Sequence, residues 1–271
     1  MGNVAGEGAR GGGIFCNTLS CPTITSNIIA SNSGLKGAIS CNVQSSPLIM
    51  WNTIAHNSGG GVYCGDSSPT VVNNTIVDNP ADWVGGVFCL DASPTISGNI
   101  IAGNATAVVC DGLYSEPFIH HNDVWNNAQG DFWGCPAGVG DTNWRSNFNG
   151  TPCDSFYNII REPSFADTVE FGLAANSPCI DAGDSNVAVN PDSGGCRIDI
   201  GARQFLYSVG DANRDAVIDI GDAVFVLNYL FKNGTMPYPY HAGDANCDGG
   251  INIADVVCLL NYLFKGGILP C

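Results

Sequence analysis

The chain has 271 residues, 13 cysteines and 35 glycines, and its 9 Lys and Arg face 25 Asp and Glu for a formal charge of −16. That balance excludes a nucleic-acid partner, because phosphate binding needs clustered cations, and no apolar run approaches the roughly 20 residues of a membrane span. The cysteine count with so little charge suggests an oxidising, secreted or cell-surface setting, and an odd count leaves one thiol free or paired between chains if the sequence is complete.

Met1-Gly2-Asn3 has neither the basic flank nor the apolar core of a secretory signal, so the start reads as that of a fragment or of a mature chain. A repeat of 21 to 25 residues then begins, with the units GGGIFCNTLSCPTITSNIIASN, GAISCNVQSSPLIMWNTIAHN, GGVYCGDSSPTVVNNTIVDN, GGVFCLDASPTISGNIIAGN and AVVCDGLYSEPFIHHNDVWNN. Cys16, Cys41, Cys64, Cys89 and Cys110 align, as do Asn27, Asn52, Asn74, Asn99 and Asn122, and a second Asn follows five residues later from Asn32 to Asn127. Each unit holds three short β-branched segments split by Gly, Pro or Asn, too short for helices. Three strands per unit, stacked about 4.8 Å apart, predict a right-handed parallel β-helix, a mostly β solenoid spanning residues 1–127. The columns Ile24, Ile49, Val71, Ile96, Ile119 and Ile29, Ile54, Ile76, Ile101, Val124 are expected inside, with a buried thiol ladder beside them and stacked Asn at the corners, where it tolerates left-handed backbone.

Within these coils the candidate chemistry is thin. Asp66 and Asp91 fall at equivalent places one coil apart, and His56 and Asp78 share another column, so these four are the candidate catalytic residues for a glycosidase using two carboxylates. Paired acids also arise from duplication of a solvated turn. Lys36 is the single Lys or Arg between Gly11 and Asn127, which argues against a lyase that neutralises uronates with cations. His120 and His121 are adjacent, and strand alternation predicts opposite faces with no shared chemistry. The column before the cysteines includes Phe15, Tyr63 and Phe88, which alternation turns outward, to stack on sugar rings, seat a partner protein or lie beneath a terminal segment. Sequons begin at Asn73, Asn104, Asn149 and Asn233, as an Asn/Thr-rich chain produces unaided.

From residue 128 to 207 the repeat fades, and degenerate coils with a C-terminal cap are expected. Cys135 with Cys153 and Cys179 with Cys196 are the better disulfide candidates there. SPCIDAGD (Ser177 to Asp184) followed by DIGA (Asp199 to Ala202) resembles the closing segment of secreted bacterial right-handed β-helix proteins. Many β-helix proteins act on polysaccharides, so the fold raises carbohydrate chemistry by analogy.

The last region, 208–271, opens on DANRDAVIDIGD (Asp211 to Asp222) and repeats it 33 residues later as DANCDGGINIAD (Asp244 to Asp255). Oxygen-bearing side chains at loop positions 1, 3, 5, 9 and 12 are the spacing of a calcium loop, since calcium takes six to eight oxygens. Each loop runs into an apolar segment of helical period ended by Gly. Two loop-helix units with Asp at position 12 resemble the dockerin family of extracellular bacteria. The resemblance implies two calcium ions, held by Asp211, Asn213, Asp215, Asp219 and Asp222 with the Val217 carbonyl, and by Asp244, Asn246, Asp248, Asn252 and Asp255 with the Gly250 carbonyl. It departs at Ala216, where the sharp turn normally takes Gly, and at positions 10 and 11, Ile220-Gly221 and Ile253-Ala254 in place of Ser-Thr, so a familiar cohesin partner is not implied. The sequence thus points to an extracellular, non-catalytic structural or carbohydrate-binding β-helix with a calcium-dependent dockerin-like module. That module docks to a cohesin-like protein, packs on its own β-helix or self-assembles. The alternative is a polysaccharide-degrading enzyme delivered to a complex by its dockerin.

Overall fold

The computed structural model of the protein describes residues 2–4, 11–81, 85–142, 145–185 and 197–269. Each coil gives one strand to each of three parallel sheets, as expected. The first sheet stacks Ile14–Asn17, Ile39–Asn42, Val62–Gly65, Val87–Leu90, Val108–Asp111 and Phe132–Trp133. The second stacks Thr23–Thr25, Leu48–Met50, Thr70–Val72, Thr95–Ser97 and Phe118–His120, and the third Ile28–Ala30, Thr53–Ala55, Thr75–Val77, Ile100–Ala102 and Asp123–Trp125. Register follows the sequence columns: Cys16 pairs with Cys41, Ile24 with Ile49 and Ile29 with Ile54, and so on up the stack. The interior columns are almost wholly buried, each Ile contributing roughly 1.5–3 kcal/mol of transfer free energy.

The thiol ladder is present and buried. Hydrogen bonding along the column, with burial, pushes the thiols of Cys41 and Cys89 well above the usual range, so these are inert packing groups. The expected disulfides on Cys135 and Cys179 are not formed: Cys135, Cys153 and Cys179 are free. Cys135 instead extends the ladder, its Sγ 2.6 Å from that of Cys110, and Cys179 donates its thiol to buried Asp123. Cys196 lies outside the described residues.

The asparagines do more than turn corners. Oδ1 of each accepts from both the backbone N–H and the Nδ2 of its copy in the preceding coil, as Asn52 does from Asn27 and Asn74 from Asn52, at 3.0–3.1 Å. The left-handed backbone falls on the residue just before, at Ser26, Trp51, Asn73, Gly98 and His121, which frees Asn to point inward. Deleting one amide strands several buried donors and acceptors, at about 1–3 kcal/mol each. The ladder from Asn27 continues beyond the visible repeat: Asn122 donates to Asn158, whose Nδ2 is taken by Asp154. The ladder from Asn32 ends with Asn127 donating to Asp131.

Residues 159–185 and 197–207 lie along the outside of the third sheet, in the region where degenerate coils and a cap are expected. Ala55, Val77, Ile100 and Ala102 project outward from that sheet and are buried by Ile159, Phe171, Leu173, Ile180 and Ile200. Main-chain contacts fix this cover, with Gly201 N–H donating to the Gly98 carbonyl and Ala202 N–H to Thr75 Oγ1. Beneath it Asp123 is fully buried, and desolvation raises its carboxyl to about 7 against the opposing thiol of Cys179 and N–H of Arg161.

A carboxyl raised in the folded state from the ordinary 3.8 to about 7 means that this group's contribution is fully present below about pH 4 and lost as pH rises through 7. Asp123→Asn should therefore flatten the fall in melting temperature between about pH 4 and pH 7, leaving the variant a few degrees more stable at pH 8. Scanning calorimetry checks this, and parallel curves for the two proteins would contradict it.

Candidate metal centre

Two helices follow the acidic loops, α1 (Ile220–Lys232) and α2 (Ile253–Lys265), each ending on a left-handed residue, Asn233 and Gly266. They pack through Ala223 and Val226 of α1 and Val256 and Leu259 of α2, with Ala212, Ala245 and Ile251 from the loops. Position 9 of each loop is the helix N-cap and position 12 its third residue, and the pair forms a reciprocal capping box: Asp219 with Asp222, and Asn252 with Asp255.

The two loops have the same internal geometry. In the first, Asp211 accepts from Asp215 and Ala216 N–H, and Asp222 from Asn213 and Asp219 N–H; in the second, Asp244 accepts from Asp248 and Gly249, and Asp255 from Asn246 and Asn252. The structure thus links the predicted side chains of each loop through one hydrogen-bond network. Asp222, Asp244 and Asp255 are buried. Burial raises the carboxyl of each, and like charges push the same way, Asp211 and Asp215 on Asp222, and Asp248 on Asp255. Several oxygens of one sign gathered in a desolvated loop are what a hard divalent cation resolves, so the residues fit calcium. Ala216 has φ +68, the left-handed turn that Gly249 makes in the second loop at φ +92.

The module does not hang free. His241, 2% exposed, contacts Asp181 of the cover, Nδ1 to Oδ2 2.9 Å, and Tyr207 hydroxyl donates to the same oxygen. Phe148 packs on the His241 ring, and the Arg197 guanidinium lies over Phe148. Nothing in the sequence links Asp181 to His241, and the only local signal was the quoted segment containing Asp181. Packing on its own β-helix, one of three expected dispositions, is present.

The other candidates disperse. Asp66 and Asp91 are exposed corner residues at φ +47, and His56 and Asp78 are corner residues at φ +56 and +53, with His56 Nδ1 3.9 Å from Asp78 Oδ2. Of the expected outward aromatics only Phe15 is open, at 47%; Tyr63 and Phe88 are buried at 4% and 9%. Stacking of successive coils lays Tyr63 flat on Phe88, and Lys36 bonds the Tyr63 hydroxyl and covers its ring. His120 and His121 depart from the expected opposite faces. The strand ends at His120, and His121 turns the corner at φ +53, which brings the two Nδ1 atoms to 3.0 Å. Burial holds both imidazoles below the usual range, His121 at about 4, against the pull of Asp184. Among the described residues no helix is long and apolar enough to cross a membrane.

Relief of the first loop's turn is measurable. Ala216→Gly should tighten calcium binding there severalfold, about 1 kcal/mol, by removing the left-handed penalty on a residue with a Cβ; titration calorimetry would show no gain if the turn is unstrained. Chelation, or the double variant Asp222→Ala with Asp255→Ala, should melt α1 and α2 while the solenoid stays folded, because metal binding and folding are linked in so small a unit. Circular dichroism reads both, and loss of the β signal on chelation alone would contradict the independence of the coils.

Residues 2–124 match the right-handed beta helix region family, and residues 209–264 match the dockerin type I domain family. No curated protein and no solved structure matches the chain. Dockerin type I domains bind calcium, and dockerin domains bind cohesins. The protein is a right-handed parallel β-helix followed by a dockerin type I domain.

Proposed function

We propose that the protein is an extracellular, non-catalytic β-helix, structural or carbohydrate-binding, which its dockerin, carrying two calcium ions, attaches to a cohesin-like partner. The observation that carries this reading is the division of the dockerin surface. His241, in the segment between the helices, is buried against the cover. Both helices keep apolar residues open at matching places, Ile220 and Ile253 at 50% and 51%, Val224 and Val257 at 48% and 51%, and Phe231 and Phe264 at 69% and 71%. Exposed apolar residues gathered on two packed helices mark a protein-binding face. Seating on its own β-helix and docking to another protein therefore use different surfaces and are compatible.

The non-catalytic reading rests on the corners. Asp66, Asp91, His56 and Asp78 all have left-handed backbone, a conformation that favours short polar residues whatever their chemistry. The alternative, a polysaccharide-degrading enzyme, keeps the His56–Asp78 pair and the Asp66 and Asp91 carboxylates as its acids. Incubation of the protein with a panel of polysaccharides, with calcium and then with chelator, should give no released sugar. Release abolished by Asp66→Asn or Asp91→Asn would establish the enzyme instead. Against a panel of immobilised cohesins, binding should need calcium and weaken at least about tenfold in Ile220→Asp with Ile253→Asp, since buried charge at an interface core is costly; retention of full affinity would remove the helix faces from the reading.

A further inference from the structure

We propose that His120, His121 and Asp184 form a binding site for a divalent transition-metal ion of the zinc class, on the flank of the β-helix and distinct from the calcium loops. His120 Nδ1 lies 3.0 Å from His121 Nδ1 and 3.7 Å from Asp184 Oδ2, and one ligand atom from each of the three residues falls within a 4.8 Å group. Two imidazole nitrogens bound tetrahedrally to zinc at about 2.0–2.1 Å stand about 3.3 Å apart, so both distances to His120 Nδ1 lie within a few tenths of an ångström of what the ion needs. Two nitrogens and a carboxylate suit zinc and its neighbours, whereas calcium and magnesium take oxygen.

The three groups are held from several sides. His121 stacks on Tyr157, with centroids 4.8 Å apart and planes at 15°, and its N–H donates to the Phe156 carbonyl. The His120 ring packs on Phe118 at 4.3 Å, and the next residue, Asn122, is fixed in the amide ladder. Ser97 Oγ is 3.2 Å from His120 Nδ1, placed to hold a metal-bound water. Side chains of His120 and Asp184 are 12% and 14% exposed, sheltered yet reachable, which leaves room for a fourth, solvent ligand. Asp184 belongs to the cover and the histidines to the last full coil, so the ion would tie the two together. Without an ion, the same contacts amount to an inter-imidazole hydrogen bond beside a carboxylate.

The test uses the full chain in an excess of calcium, which keeps the dockerin loops filled. Zinc titrated calorimetrically should bind with one equivalent per chain, and cobalt should show the visible absorption of a nitrogen- and oxygen-ligated ion. His121→Asn keeps a residue that tolerates the left-handed corner, and Asp184→Asn changes one charge on the cover. Each should weaken zinc at least about tenfold, and zinc should raise the melting temperature of the wild-type solenoid but not that of Asp184→Asn. Absence of zinc binding, or zinc binding undiminished in Asp184→Asn, overturns the proposal. Should His121→Asn fail to fold, the Asp184→Asn comparison still decides.

Discussion

The buried asparagine amide is the interaction on which the solenoid depends. A chain that winds around an apolar interior must turn three times per coil, and at each turn its backbone leaves the sheet ladders with polar groups unsatisfied. An Asn placed just after a left-handed residue points inward and supplies donor and acceptor together, to its own strand, the coil below and the coil above. Everything between the asparagines can then vary. Units of different length coexist, because most of the difference falls between the second Asn of one unit and the thiol of the next, as from Asn32 to Cys41 against Asn104 to Cys110. The corner residue is free to be Ser, Trp, Asn, Gly or His, and the histidine pair at the fifth corner arises from that freedom.

In the dockerin the corresponding economy is that the residues at loop positions 9 and 12, which the family resemblance offers as calcium ligands, also form the capping box. The polar start of each helix and the cation site are therefore a single structure. Calcium supplies the positive charge that the gathered carboxylates lack, and the N–H groups now satisfied by them remain the scaffold around it. Residues at the matching positions differ between the loops, Asp219 against Asn252 and Ala216 against Gly249, so the two centres differ in charge and in backbone strain although their hydrogen bonds coincide.

How much could be read from sequence follows from how each part is encoded. Columns such as Ile24 to Ile119 and the loops from Asp211 and Asp244 are written locally and repeated, and periodicity exposes them. Asn158 carries the same ladder contact as Asn122 but stands outside the regular spacing, because it follows Asn122 by 36 residues and not by the length of one unit. The cover over Ala55, Val77 and Ala102 was signalled only by small or apolar residues on what alternation makes an outward face. For Tyr63 and Phe88 alternation gives only the outward direction, which left open surface and cover as alternatives, whereas burial depends on what stacks above and beside. For His121, alternation itself ended one residue earlier than assumed.

The amide ladders also have a direction. Each side-chain oxygen accepts from the Asn of the preceding coil and each Asn donates its backbone N–H and Nδ2 to the oxygen of the following one, with Nδ2 also reaching a main-chain carbonyl of the coil before, so the amide-to-amide bonds all run in one sense along the axis. The column is electrically polarised, with its positive end toward the C-terminal coils. At that end sit carboxylates, Asp154 on one ladder and Asp131 on the other, while at the opposite end Asn32 Oδ1 receives the N–H groups of Asn3. The two ends are thus chemically unlike. Coils can be added or lost within the column without disturbing its sense, whereas reversing a segment would set oxygen against oxygen, so a solenoid of this kind can lengthen only head to tail.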